Sequence, residues 1–189
     1  MQDAPPTHCA DSGGLRLTDF IPLVRQHTEN SLLSRQSALR QFLVEPIVSS
    51  LDWPDDVVEQ WIFDHAEHFE ADYGRIDLGN ISWNLVSLRT EELVDLRTGL
   101  SDAGAIVQYS RNLDHWLGLR AEPIQSSWRQ HGTWLRPPIL LDQKIVDPQA
   151  SGLQVVEGRN RVGTLRGRRR EGLFIVDVHQ VWLGLDPSS

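Results

Sequence analysis

The sequence predicts an α+β protein: a small mixed β-sheet with helices packed around it and a helical extension ahead of it. Three stretches carry that expectation. Leu153–Val156, entered through Ser151-Gly152, is a short apolar run ending in paired valines and reads as a buried strand. Glu157-Gly158 breaks it, and Val162, Leu165 and the small Gly163 then recur at helical spacing up to Gly167, an expected helix stop. Phe174–Trp182 is a second β-rich run, with Asp177, His179 and Val181 expected on one face. Before both come two amphipathic helical patterns.

Taken in order, residues 1–15 are expected to lack order, given Pro5-Pro6 and Asp11-Ser12-Gly13-Gly14. A helical extension over residues 16–75 follows. Its first helix is expected around Asn30–Val44, with Leu32, Leu33, Leu39, Phe42 and Leu43 on one face, and Glu45-Pro46 ends or kinks it. Asp52-Trp53-Pro54-Asp55-Asp56 has the marks of a second start: a capping aspartate, proline in the first turn and acids at the positive helix end. Val57, Val58, Trp61, Ile62, His65 and Phe69 form its apolar face and Gly74 its stop. Asp64, His65, Glu67, His68, Glu70 and Asp72 lie on this helix without the His-Glu-x-x-His spacing of a zinc site, so an acidic face with a half-buried His65 is expected.

The remaining residues, 76–189, read as the sheet domain. Ile76–Leu88 is its expected first strand, and Thr90 is expected to cap a helix over Glu91–Thr98 that stops at Gly99. Residues 104–117 carry another helical pattern, ended by Gly118, while Leu119–Leu135 gives mixed signals. Pro137-Pro138-Ile139-Leu140-Leu141 is expected to pair into the same sheet as Leu153–Val156.

The chemistry concentrates at the strand-to-helix turn. A helix starting there leaves its first amides without intrahelical acceptors, and together with the helix dipole they favour an anion. Arg159 and Arg161 sit beside them with planar guanidiniums suited to phosphate. The competing reading is a solvated arginine-rich helix edge with Glu157 paired to Arg161 four residues on.

Val155-Val156-Glu157-Gly158-Arg159-Asn160-Arg161-Val162-Gly163-Thr164-Leu165-Arg166-Gly167 resembles the signature of the ParB/sulfiredoxin-like superfamily. There, a hydrophobic strand enters an acid-Gly-x-x-Arg turn and a helix that cradles nucleotide phosphates. Glu157 takes the acidic place, Gly158 the glycine, Arg159 and Asn160 the variable pair, and Arg161 the final arginine. Arg136–Leu141 looks like the family's upstream Pro-Ile-Val strand, and the resemblance spans roughly residues 76–185. About 103–133 is longer than the family's spacing and reads as an insertion that lids the pocket or fills it out. Arg159 stands where sulfiredoxins carry their cysteine, which argues against reduction of sulfinic acid. After the closing strand comes only the short stretch ending Asp186-Pro187-Ser188-Ser189, which argues against centromere binding through a helix-turn-helix.

Composition bounds the partners. Net charge is −8, but residues 1–104 hold 18 acids against 7 arginines, and residues 105–189 hold 8 acids against 11 bases. So acidic a field disfavours generic coating of duplex DNA, whereas a local basic pocket for one nucleotide remains compatible with it. Arg168–Arg170 are expected in a solvated turn, and the 7 tryptophans as buried anchors. His115 and His131, in the insertion, are expected on the surface. The single Cys9 leaves no internal disulfide. Met1–Pro6 lacks the basic and apolar regions of a signal peptide and no stretch nears about 18 apolar residues, so a cytoplasmic protein without membrane contact is expected.

Two functional readings follow from the resemblance and the charge. In the first, the protein binds a nucleotide or other phosphate ligand, with slow nucleotide hydrolysis or nuclease activity among the implied reactions. Gly158, Arg159, Asn160 and Arg161 would hold phosphate, and Glu157 would be catalytic, binding Mg2+ that arrives with a nucleoside triphosphate or orienting water. In the second, a non-catalytic protein of a mobile-element or defence system uses its acidic helices to mask a basic protein partner.

Overall fold

A computed structural model describes residues 14–29 and 33–187. Among the described residues ahead of the sheet, the regular elements are all helices. Helix α1 (Leu17–Glu29) buries Leu17, Phe20, Ile21 and Val24, a spacing of three, one and three residues that keeps them on one face. The sequence reading missed it because Pro22 sits inside it; here burial of the face outweighs the lost backbone hydrogen bond. Order also begins earlier than expected, since the Leu15 carbonyl accepts from the Leu78 amide at 2.7 Å. Helix α2 (Arg35–Leu43) starts later than expected, at Ser34, whose hydroxyl accepts from the Ser37 amide; Asn30–Leu32 and Cys9 lie outside the described residues. The short α3 (Pro46–Ser49) opens on Pro46.

The Trp53-Pro54 start is displaced as well. Asp52 adopts a positive φ of 53° and does not cap; helix α4 (Asp55–Val57) begins after Pro54. It widens into a π-helical stretch, Val58–Phe63, and continues as α5 (Asp64–Tyr73). Each π turn takes an extra residue, so the side chains that follow are rotated about the axis relative to those before. Val58, Trp61, Ile62 and Phe69 are buried as expected, and Trp61 meets Trp53 and Trp83 at centroid distances of 5.4 and 5.8 Å.

Five strands form one mixed sheet: β1 (Ser82–Arg89), β2 (Arg97–Thr98), β3 (Ile139–Asp142), β4 (Leu153–Glu157) and β5 (Val178–Leu185). Their order is β1-β5-β3-β4-β2, with β1/β5 and β3/β4 antiparallel and β3/β5 and β2/β4 parallel. The two expected apolar runs are therefore neighbouring strands of one sheet. Alternation along them separates two cores. Ile139, Leu141 and Val156 pack with the N-terminal helices, while Leu140, Val155 and Val181 pack with the helices on the other face. The acidic extension thus shares a core with the sheet.

Between β1 and β3 the chain departs from expectation in detail. Thr90 is no cap: it lies inside α6 (Thr90–Leu93), and its hydroxyl donates to the Val176 carbonyl at 2.9 Å. Glu92 instead accepts from the Arg89 amide at 2.7 Å. That helix ends after one turn because Arg97–Thr98 is drawn off as an edge strand against β4. The 104–117 pattern divides at Asn112 into α7 (Ala105–Arg111) and α8 (Leu113–Gly118), and α9 (Glu122–Gln130) fills the stretch of mixed signals.

Helix α10 (Arg159–Arg170) runs past Gly167. Gly163 and Gly167 are contact positions: a Cβ would lie 2.5 Å from the Tyr109 Cβ at the first and 2.8 Å from the Ser110 carbonyl at the second. The glycines let α10 approach α7 closely. The expected solvated turn at Arg168–Arg170 is instead the last turn of α10: Arg168 is buried, 7% exposed, donates to the Phe174 carbonyl and lies 5.7 Å from the Trp128 ring centre, and only Arg169 and Arg170 are exposed. Strand β5 accordingly starts at Val178, since Arg168 and Thr90 take the carbonyls of Phe174 and Val176. His179 and Val181 share a buried face, and Asp177 is exposed. No helix among the described residues is long and apolar enough to cross a membrane.

Candidate functional site

The strand-to-helix turn forms one wall of a cavity of about 500 Å³, and the other walls come from the N-terminal helices and the 103–133 segment. Strand β4 ends at Glu157, and Gly158 reverses the chain at φ 104° before α10 begins. A Cβ at Gly158 would lie 2.4 Å from the Pro138 Cβ, so glycine is required by conformation and by space alike. The first backbone bond of the helix runs from the Val162 amide to the Gly158 carbonyl. The amides of Arg159, Asn160 and Arg161 therefore stand ahead of the intrahelical ladder.

The five motif residues divide by what they touch. Arg161 Nη1 donates to Gln60 Oε1 (2.7 Å), to the Arg136 carbonyl (3.0 Å) and to the Pro137 carbonyl (2.9 Å), and its Nη2 donates to Glu157. Burial, with Arg136 nearby, lowers its pKa to about 9; with Glu157 in contact the guanidinium is charged at neutral pH. Arg161 ties the turn to β3 and to the π-helical stretch, and its charge is met from within. The Glu157–Arg161 pair of the competing sequence reading is thus present, but partly buried rather than on a solvated edge, with side chains 19% and 17% exposed. Arg159 turns toward Asp102 and His68. Asn160 is different: its Nδ2 is buried with no hydrogen-bond partner.

Three residues outside the motif complete the cavity. Arg120, from the loop between α8 and α9, lines it, and its Nε is likewise buried without a partner. Arg136 is held by Asp56 and Glu59, both at 2.5 Å. Of the four cavity arginines, Arg120 alone has no carboxylate contact among the described residues. His65 faces in from α5, its Nε2 4.0 Å from Glu157 Oε1. Burial lowers the His65 pKa, as do Arg159, His68 and Arg161, against an opposing pull from Asp64. Tyr109, Ile124 and Trp134 supply an apolar side, and the Trp134 indole is fixed by donating to the Gln180 carbonyl at 2.8 Å.

Sequence reasoning found the motif and missed the opposite wall. His65 was visible only as a residue on a helix face, and Arg120 lay in a stretch with no periodicity. The insertion lines the cavity through Tyr109, Arg120 and Ile124, whereas His115 and His131 are exposed and stay outside it. No three of His, Cys, Asp and Glu converge as a metal site among the described residues. Glu157 is engaged by Arg161 and Asp64 by Arg35, a donor set poorly suited to a protein-held Mg2+.

Comparison with family models, curated proteins and solved structures gives no match for the chain.

Proposed function

We propose that the cavity binds the phosphate of a nucleotide in the manner that the ParB/sulfiredoxin-like resemblance implies. The observation that carries this reading is the pair of buried donors without a partner, Asn160 Nδ2 and Arg120 Nε, on two residues that line one cavity with the α10 N-terminus. A buried donor without an acceptor costs roughly 1–3 kcal/mol, and an anion would supply the acceptors. The helix end and the Arg120 charge favour that anion electrostatically. Trp134, Tyr109 and Ile124 offer a surface for a base or sugar, and a volume of about 500 Å³ suits one small molecule.

This reading redistributes the roles expected from the motif. Gly158, Asn160 and the helix amides contact phosphate, joined by Arg120; Arg161 and Arg159 hold the turn in shape. Magnesium, where it takes part, enters with the triphosphate and not on Glu157. The masking of a basic partner by the acidic helices has less support, because Glu59, Asp64 and Glu67 are already paired with arginines of this chain.

Calorimetric titration with ATP, CTP and GTP, with and without Mg2+, tests the reading. Asn160→Ala and Arg120→Ala should each weaken binding about tenfold to a hundredfold, as for a charge-assisted contact of roughly 1.5–3 kcal/mol. Neither substitution breaks a hydrogen bond at Asn160 Nδ2 or Arg120 Nε, since those donors have no partner in the protein. If the parent binds no nucleotide at millimolar concentration, the cavity is structural only.

A further inference from the structure

From the cavity geometry we infer that His65 is the general base of a hydrolytic reaction at the bound phosphate; the inference rests on the nucleotide reading above. Water attacks the terminal phosphorus of a nucleoside triphosphate, forming a new P–O bond. The bridging P–O bond breaks, and its electron pair leaves on the terminal oxygen of the diphosphate. The proton lost by the water passes to the His65 imidazole and from there to solvent.

Four observations place His65 in that role. First, it lines the same cavity as the α10 N-terminus, Asn160 and Arg120, but from α5 on a separate wall. Second, its side chain is 41% exposed, which leaves the ring accessible to water. Third, the ring stands edge-on to Phe69 at 5.7 Å, a contact that fixes its plane without using a nitrogen. Fourth, Glu157 Oε1 lies 4.0 Å from Nε2 while Oε2 is taken by Arg161, so one carboxylate oxygen faces the positive charge that develops on the ring. Glu157 acts here as a positioning and charge-balancing residue.

The charged groups facing His65 set the balance. Asp64 on its own helix and Glu157 across the gap favour the imidazolium, whereas Arg159, Arg161 and His68 oppose it. With burial added, the balance tips toward the neutral ring, the form competent to accept a proton. Its neighbours are otherwise engaged: both Asp64 oxygens accept from Arg35, Glu157 is held by Arg161 through Oε2, and His68 is committed to Asp102 and Arg159.

The test measures binding and turnover separately on the full chain. ATP, CTP and GTP are titrated by calorimetry, and phosphate release from each is followed, for the parent, His65→Gln and His65→Ala. His65→Gln should bind as the parent does and lose roughly a hundredfold or more in turnover. The parent kcat/KM, which reports the free protein, should fall on the acid side with an apparent pKa below about 6.5, and the variants should lose that limb. Equal turnover in parent and His65→Gln, or a parent that binds nucleotide and releases no phosphate, overturns the role of His65 and leaves the binding reading standing. A parent that binds no nucleotide overturns both. Should both variants unfold, a parent kcat/KM with no acid limb at all would also overturn it.

Discussion

Arg161, in the first turn of α10, reaches back four residues to Glu157 at the end of β4, and this contact closes the strand-to-helix turn around Gly158. The same guanidinium also bonds Gln60, 101 residues earlier in the chain, so one side chain joins the motif to the N-terminal helices.

Arg161→Ala should therefore destabilise the fold by about 1–3 kcal/mol, the cost of leaving a partly buried carboxylate without its partner. Adding Glu157→Gln should return part of that loss, since the orphaned charge is then gone. Urea denaturation of the two single variants and the double variant measures the coupling. A loss under about 1 kcal/mol for Arg161→Ala would mark the pair as an ordinary surface contact.

At Gly158 two constraints coincide, a φ of 104° and the wall of Pro138. Gly158→Ala should cost about 1–3 kcal/mol from backbone strain and displace the turn further through the Pro138 contact. Gly158→Val should be worse, because a β-branched residue resists positive φ more strongly. Thermal melts in the absence of nucleotide provide the comparison; two variants as stable as the parent would contradict the tight approach to Pro138.

His179 gives a pH signature. It is 2% exposed, bonded to Thr90 at 3.0 Å and to Thr133 at 2.7 Å, and burial lowers its pKa to about 4. The folded state thus holds it neutral, whereas the unfolded chain protonates it near pH 6.5. Its stability contribution is complete above that pH and is lost as pH falls toward 4, by up to roughly 1.4 kcal/mol per unit. His179→Gln should flatten this part of the stability profile in chemical denaturation at stepped pH. An unchanged profile would show that other groups set it.

The sequence by itself determined the local devices. The valines of Leu153–Val156, the glycine that follows them and the helical repeat after it specify strand, reversal and helix within fifteen residues, because each depends on propensity and short-range spacing. Burial of Trp61 and Phe69 was legible for the same reason. Features that needed a partner distant in the chain were not. The ends of α6 and β5 moved because Arg97–Thr98 and the carbonyls of Phe174 and Val176 are claimed by β4, Arg168 and Thr90. Gly167 read as a helix stop until α7 lay against it. Arg161, expected to face phosphate, is instead consumed by Gln60, Glu157 and two carbonyls of the β3 approach. Arg120 and His65 became cavity residues only through packing, since no spacing rule links residue 65 to residue 120 or either one to 160. Only the tertiary structure decides which buried donors go unanswered, because satisfaction of a polar group is settled by what lies against it in space.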